Sequence, residues 1–191
     1  MERAIHEEKQ FEKISFAETI YPASDHEECV FDQCDFSTCD LSGSSFADTI
    51  FIGCQFSMTR LSNTTFRNVK FKDCKLLGLH FEDCSNFLFT VSFENCSVKL
   101  CSFNKMNLQN TRFIKSALHE IDFTETNLSA AVFEHCDLAG SIFDGTKLEK
   151  ADLRTSFNYS IDPERNRLKK AKFSLSGVVG LLDKHDIQID L

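Results

Sequence analysis

Apolar residues recur at every fifth position of this chain, in two long runs that differ in phase. The first run extends from Phe31 to Phe81 and the second from Phe93 to Leu153. Five is the period of neither an α-helix, which repeats about every 3.6 residues, nor a pleated strand, which repeats every two. The chain must therefore turn a corner every few residues and point the same position inward each time. Such a fixed period predicts a solenoid, in which short units stack and bury a continuous core.

The cysteines follow the same period. If the inward Phe or Leu of each unit is position i, eight of the nine cysteines lie at i−2, and Cys84 does so too if the first phase persists that far. Most of the other i−2 positions hold Ser, Thr or Ala, so the cysteine is interpreted as a small buried hydrophobe with a weak donor. No paired CxxC or CxxH spacing indicates a zinc site.

Breaks in the period divide the chain into three parts. Residues 1–28 are expected to form an irregular N-terminal cap and first turn around Pro22, and regular repeats fill 29–157. The step from Phe81 to Phe93 is two residues longer than two units, which predicts a bulge near 84–90 with Leu88 restoring the inward position. A Pro-containing turn and a basic run open the tail, 158–191, in which a short helix is predicted after Ser176 as its N-cap.

The repeat units resemble the A(D/N)LXX consensus of the pentapeptide-repeat family: CDFST, CDLSG, SSFAD, TRFIK, TNLSA, CDLAG and ADLRT. The resemblance covers roughly 29–157 and implies an all-β fold, a right-handed quadrilateral parallel β-helix with four units to a coil, followed by the short C-terminal helix. Coils of twenty residues would then stack one core ladder formed by Phe31, Phe51, Phe71, Phe93, Phe113 and Phe133.

The tail carries a narrower resemblance, to the C-terminal segment of small gyrase-protecting members of this family, the Qnr-like and microcin-immunity-like proteins. In Qnr-type members a C-terminal helix joins two rods end to end. By that resemblance the dimer candidates are Val178, Val179, Leu181 and Leu182. The alternative is a helix that only caps the open end of the solenoid, as a terminal repeat requires.

Charge is the main feature left for function. The net charge is −8, but residues 49–119 carry a net +5 between acidic segments. Acidic residues at i−1 match the family consensus and are surface candidates: Asp35, Asp40, Asp122, Asp137 and Asp152. A basic girdle interrupts the acidic rod and consists of Arg60, Arg67, Lys70, Lys72 and Lys75. Solubility and ion pairs between coils are the alternative explanation of the girdle.

No catalytic motif is present, and neither a cofactor nor a metal is expected. The resemblance implies a non-enzymatic, DNA-shaped binding protein that acts on or protects DNA gyrase or topoisomerase IV, as a cytoplasmic homodimer. The alternative is an adaptor solenoid for another protein, without a topoisomerase role. Direct nucleic-acid binding through the girdle is opposed by the net charge. No apolar stretch reaches the length of a membrane span, and the polar N-terminal residues lack a signal-peptide core.

Overall fold

The corners of the chain lie at position i+2 of the units, and at most of them the backbone adopts a left-handed conformation. Gln33, Thr38, Gly43 and Asp48 occupy four consecutive corners, with φ between 50° and 73°. Between corners, i−2 and i point inward while i−1 and i+1 point outward. Four corners close one coil, so the period of five seen in the sequence is the spacing of the corners. The result is a right-handed, four-sided parallel β-helix, which confirms the predicted fold class.

This computed structural model describes residues 3–185, 187 and 188. All strand pairs in it are parallel. We number the four sides as faces, each defined by its inward column: face 1 by Phe31, Phe51 and Phe71; face 2 by Phe36, Phe56 and Leu76; face 3 by Leu41, Leu61 and Phe81; and face 4 by His26, Phe46 and Phe66.

Three faces contain sheets whose strands are numbered in chain order. Face 1 is a seven-stranded sheet of β2 (Gln10–Glu12), β4 (Val30–Asp32), β6 (Ile50–Ile52), β9 (Val69–Lys72), β11 (Val91–Glu94), β13 (Arg112–Ile114) and β15 (Val132–Glu134). Face 2 contains β7 (Gln55–Ser57), β10 (Lys75–Leu77), β12 (Ser97–Lys99) and β14 (Ala117–His119). Face 4 contains β1 (Ala4–Glu7), β3 (Ser24–Glu27), β5 (Ser45–Ala47) and β8 (Thr65–Arg67). Face 3 is held by isolated bridges such as Asp40 with Arg60.

The inward column of face 1 is a continuous stack of aromatic rings. The ring centroids of Phe31 and Phe51 are 5.0 Å apart, and those of Phe93 and Phe113 are 5.3 Å apart with 1° between the ring planes. Rings of neighbouring columns meet edge to face, as Phe51 does with Phe56 at 85°. Each ring therefore has stacked contacts along the rod and T-shaped contacts across it, which adds to the free energy of burial.

Many of the Cys, Ser and Thr side chains at i−2 donate a hydrogen bond to the preceding coil. Thr126 Oγ1 donates to the carbonyl of Phe103 at 2.7 Å, and Thr146 Oγ1 donates to that of Phe123 at 2.8 Å. Cys54 Sγ donates to the carbonyl of Phe31 at 3.3 Å in the same way. These donors satisfy buried carbonyls that point along the rod. Small residues with a hydroxyl or thiol are therefore suited to this position.

The bulge departs from the sequence prediction in its inward residue. The coil register holds through Ser85, whose N–H donates to Thr64, and resumes where Val91 pairs with Val69. Leu88 is 56% exposed and has a left-handed backbone, whereas Phe89 packs against the core beside Phe66. The expectation that Leu88 restores the inward position was therefore wrong.

Both ends of the rod extend the repeat. Residues 3–28, where the sequence indicated an irregular cap, include β1, β2 and β3, and His6 pairs with His26 in coil register. At the other end the short helix consists of 3-10 turns, Gly177–Leu181 and Asp183–His185. Ser176 makes no capping bond with its side chain; instead Ser174 Oγ accepts the N–H of Gly177 at 3.0 Å. A further 3-10 turn, Phe81–Asp83, precedes the bulge.

Candidate interaction surfaces

The cysteines line the interior of the rod. All nine cysteines are buried and in the reduced form. Burial raises the pKa of Cys101 and of Cys136 to about 11, so both thiols are neutral at pH 7. Among residues 3–185, 187 and 188, no group of three His, Cys, Asp or Glu side chains is placed to hold a metal ion. No helix in the same part of the chain is long and apolar enough to cross a membrane.

The five acidic candidates have a structural role at the corners. Each carboxylate accepts the backbone N–H two residues later, which stabilises the turn that follows. The donor–acceptor distances run from 2.8 Å at Asp122 to 3.3 Å at Asp152, with the others at Asp35, Asp40 and Asp137. The consensus acid at i−1 is therefore explained by the backbone before any partner is considered.

Three of these carboxylates are also held in the charged form by neighbours. The Ser42 hydroxyl lowers the pKa of Asp40, and the Arg154 guanidinium lowers that of Asp152. At Asp137 burial acts to raise the pKa, but hydrogen bonds from His119, at 2.9 Å, and Asn158 outweigh it and leave the pKa lowered. All three remain ionised at neutral pH.

The structure does not bring the acidic candidates together. Asp35 and Asp137 lie on face 2, Asp40 and Asp122 on face 3, and Asp152 on face 1. A partner contacting one face meets at most two of them.

The basic girdle is likewise divided among the four faces. Arg60 lies on face 3, Arg67 on face 4, Lys75 on face 2, and Lys70 and Lys72 on face 1. Three of the five make ion pairs to other coils: Arg60 with Asp40 at 3.4 Å, Arg67 with Glu27 at 3.2 Å, and Lys70 with Glu94. Within the described residues, Lys72 and Lys75 have no ion-pair partner.

Face 3 carries the largest net negative charge of the four faces, and six of its eight acids were not singled out by the sequence reasoning. Its outward and corner positions hold eight acids and three bases: Asp40, Glu82, Asp83, Asp122, Glu125, Asp144, Asp162 and Glu164, with Arg60, Lys105 and Arg165. Lys105 pairs with Glu125 at 3.9 Å and Arg165 with Asp144 at 2.6 Å, while Lys184 of the tail bridges Asp162 and Glu164. Sorting surface residues by the twenty-residue coil would have revealed this stripe.

Exposed apolar side chains form a second feature that the sequence reasoning missed. Met58 and Leu100 lie at the corner between faces 2 and 3, with exposures of 63% and 56%. Leu77, 39% exposed, lies on the coil between them, on face 2 next to the Gly78 corner. Met58 fits against Gly78, because a Cβ there would lie 2.4 Å from its sulfur. In the bulge on face 4, Phe87 is 74% exposed.

The four dimer candidates lie in the 3-10 segment that covers the C-terminal end of the core. Leu181 packs against the core, and the carbonyl of Gly180 accepts the N–H of Ile161 at 2.9 Å. Val179 and Leu182 are half-buried, and Val178 is 38% exposed. The segment therefore caps the solenoid, and its exposed apolar side chains are Val178 and the neighbouring Leu175, at 91%.

Comparison with known proteins identifies the repeats. A family model described as a pentapeptide repeat region matches residues 24–86 and 85–157. No curated protein matches the sequence.

Comparison with solved structures finds similar proteins at low sequence identity. A trypsin-treated variant of QnrB1, described as a plasmid-mediated fluoroquinolone resistance protein, is 21% identical over 98% of each chain, with a TM-score of 0.50. Full-length QnrB1 is 18% identical over 96% of this chain and 100% of its own, with a TM-score of 0.48. HetL, described as involved in heterocyst differentiation regulation in the cyanobacterium Nostoc sp., is 16% identical over 92% and 88%, with a TM-score of 0.35.

Proposed function

The chain belongs to the pentapeptide-repeat family, and from that premise we propose that it is a non-enzymatic binding protein that occupies the DNA-binding surface of a type II topoisomerase. The observation that carries the proposal is the concentration of negative charge on face 3. A duplex presents a regular line of negative charge, and a straight rod with an acidic stripe offers a similar potential to a basic saddle. The proposed partner works on DNA, so we place the protein in the cytoplasm.

Electrostatic steering is the contribution expected of this stripe. Exposed carboxylates in ion pairs contribute little stability, but their summed field raises the rate of encounter with a positively charged partner. Asp83 and Asp122 have no ion-pair partner among the described residues, and Glu125 has only the long pair with Lys105. These three side chains are therefore available to a partner.

A gyrase supercoiling assay tests the proposal directly. We expect the protein at micromolar concentration to inhibit supercoiling, or to protect gyrase from ciprofloxacin or a peptide toxin. Absence of both effects for gyrase and for topoisomerase IV would exclude the topoisomerase role and leave the adaptor role.

A matched pair of triple variants tests the role of face 3. Asp83→Asn, Asp122→Asn and Glu125→Gln together remove three charges, while the amide oxygen introduced at position 122 can still accept the N–H of Thr124. The control variant likewise removes two aspartate charges and one glutamate charge, but from face 1: Asp32→Asn, Asp73→Asn and Glu134→Gln. We expect the face 3 variant to lose about tenfold or more in potency and the control to change less than about threefold. Equal losses would show that only net charge matters.

We also propose that the C-terminal segment joins two copies end to end. The support is the exposed apolar surface of Leu175 and Val178 beside the half-buried Val179, Leu181 and Leu182. Substituting Leu175→Asp and Val178→Asp leaves the capping contacts of Leu181 in place, so it tests association without removing the cap. An unchanged mass in solution would exclude this segment from a dimer interface.

The adaptor role draws on a separate surface. Met58, Leu77 and Leu100 form an apolar strip of a kind that protein partners bury. If this strip binds the partner, Met58→Ser with Leu100→Ser abolishes binding while the face 3 variant has no effect.

A further inference from the structure

Face 4 is divided along the rod into an acidic end and a basic end. We call the five-residue unit that each coil contributes to a face a rung of that face. The outward and corner positions of the first three rungs of face 4 hold six acids: Glu7, Glu8, Asp25, Glu27, Glu28 and Asp48. Those of its last two rungs hold five bases and one acid: Lys147, Lys150, Arg167, Lys169, Lys170 and Glu149. The rungs between carry mainly neutral residues, among them Thr65, Asn68, Asn107, Gln109, Asn110, Asn127 and Ser129.

Much of this charge has no partner within the chain. At the acidic end Arg3 pairs with Asp25 at 2.8 Å, and Arg67 reaches Glu27 and Asp48. Over the described part of the chain, Glu7, Glu8 and Glu28 make no ion pair, and neither do the five bases at the other end. The two ends therefore remain oppositely charged.

The midpoint of the same face is apolar. Face 4 has nine rungs, with inward residues at positions 6, 26, 46, 66, 89, 108, 128, 148 and 168, and the bulge is the fifth. Because Phe89 fills the core there, Phe87 and Leu88 project outward, at 74% and 56% exposure. An exposed aromatic residue at the centre of a polar surface is the arrangement found at the centre of protein interfaces.

We propose that face 4 binds face 4 of a second copy of this chain, with the two rods antiparallel and Phe87 and Leu88 at the two-fold axis. An axis that lies in the interface and perpendicular to the rods reverses the order of the rungs about the bulge. It keeps each residue at the same lateral position, i−1, i+1 or i+2. The first rung of one copy then faces the ninth of the other, and the second faces the eighth.

This operation brings opposite charges together without adjustment. At i+2, Glu8 meets Lys170 and Glu28 meets Lys150 of the second copy. The i−1 and i+1 positions add the pairs Asp25 with Lys147 and Glu7 with Lys169. The mismatch is Glu27 with Glu149, and both have neighbours within the chain: Arg67 for Glu27, and the Ser129 hydroxyl, at 3.2 Å, for Glu149.

The self-complementarity favours a second copy over other partners. A polyanion would be attracted to the basic end of face 4 but repelled by the acidic end. A basic protein would be attracted to the acidic end and repelled by the basic end. An isologous interface matches every patch of the face, because the same surface serves both sides. The apolar centre supplies the anchor, since exposed ion pairs contribute little individually.

Zero-length cross-linking with a carbodiimide tests this arrangement. Glu28 and Lys150 are six rungs apart within one chain, about 29 Å at about 4.8 Å per rung, so an amide bond between them must join two chains. We expect Glu28–Lys150 and Glu8–Lys170 cross-links in mixtures of isotopically labelled and unlabelled protein. A dimer without these cross-links, or a monomer at about 100 µM, would overturn the proposal.

Charge exchange provides the matched variants. Glu8→Lys with Glu28→Lys, or Lys150→Glu with Lys170→Glu, should each weaken association at least about tenfold, because like charges then face each other. All four substitutions together should restore it to within about threefold. The control, Lys13→Glu with Lys115→Glu, reverses two basic charges at the same corner position on face 1. It should change the dissociation constant of the dimer by less than about threefold. No rescue by the fourfold exchange would refute the pairing.

Phe87→Asp tests the centre of the interface and should weaken association at least about tenfold, since this exposed side chain supports no core contact. The end-to-end mode is distinguished by Leu175→Asp with Val178→Asp, which should leave the Glu28–Lys150 cross-link intact. Loss of that cross-link in the tail variant, with Phe87→Asp having no effect, would assign association to the tail alone.

Discussion

Protonation of His26 should destabilise the N-terminal end of the rod, and substitution with phenylalanine should remove that effect. His26 is 1% exposed and stacks between His6, at 4.8 Å, and Phe46, at 4.9 Å. Its Nε2 lies 3.0 Å from Ser24 Oγ and 3.2 Å from Tyr21 Oη, while Nδ1 is buried with no hydrogen-bond partner in the described chain. Burial, with the charges of His6 and Arg3, lowers the pKa of His26 from 6.5 to about 4.

The sign of the effect follows from the direction of that change. The unfolded chain takes up a proton on this histidine near pH 6.5, whereas the folded chain resists it down to about pH 4. Stability is therefore complete above pH 6.5 and falls as the pH decreases towards 4. The loss reaches about 3 kcal/mol below pH 4 and is about 2.5 kcal/mol at pH 4.5.

The chain itself supplies the test variant, because Phe46 and Phe66 occupy the next two positions of the same column. Urea unfolding of the wild type and of His26→Phe is compared at pH 7.5 and pH 4.5, with hydrogen exchange of β1 and β3 as the local readout. We expect the wild type to lose about 2.5 kcal/mol more than the variant over this range. His135→Gln, at an exposed corner of face 1, should behave as the wild type. Parallel losses in wild type and His26→Phe would refute the reasoning.

Three further substitutions test the core, the corners and the cap. Phe71→Leu removes ring stacking on Phe51 and Phe93, at centroid distances of 5.2 Å and 5.3 Å, and should lower the free energy of unfolding by about 2 kcal/mol. Phe157 is half exposed, so the control Phe157→Leu should lower it by less than about 0.5 kcal/mol. Equal urea midpoints for the two variants would contradict this. Asp122→Ala should lower thermal stability by about 1 kcal/mol through loss of its corner hydrogen bond, and Asp122→Asn should retain most of it. Gly180→Ala places a Cβ 2.1 Å from the Tyr159 carbonyl oxygen and should detach the tail, which would be seen as faster hydrogen exchange over 175–185. In the control Gly145→Ala the new Cβ has its nearest neighbour at 3.4 Å, so the tail should remain protected from exchange.

The fold was predictable because the core repeats at a single sequence position. The large inward residue at position i of each unit determines the coil, and the family consensus supplies the number of units per turn. The bulge was less predictable, since two extra residues can be placed at several points between Phe81 and Phe93 without changing the period. Backbone pairing decides the matter: Ser85 and Val91 hold the register, and Phe89 takes the inward position between them.

The surface was predicted less well than the core. The acidic candidates were chosen by position within the unit, which identifies corner hydrogen bonds and not a shared face. Asp83 and Glu125 were overlooked because they lie at i+2, although both face the same way as Asp122. The tail forms 3-10 turns because Gly177 and Gly180 interrupt the apolar sequence and bring the backbone against Tyr159, a contact that a propensity for α-helix does not encode.

The left-handed corner at every fifth residue has a consequence for how such a protein changes over generations. Because the corners and the inward positions define the coil, the outward positions of each face can mutate without altering the backbone of the others. A duplicated or deleted coil moves all four faces by one rung and leaves the lateral order intact. Lineages of this kind can therefore acquire a new partner on one side of the rod while selection preserves an older contact on another.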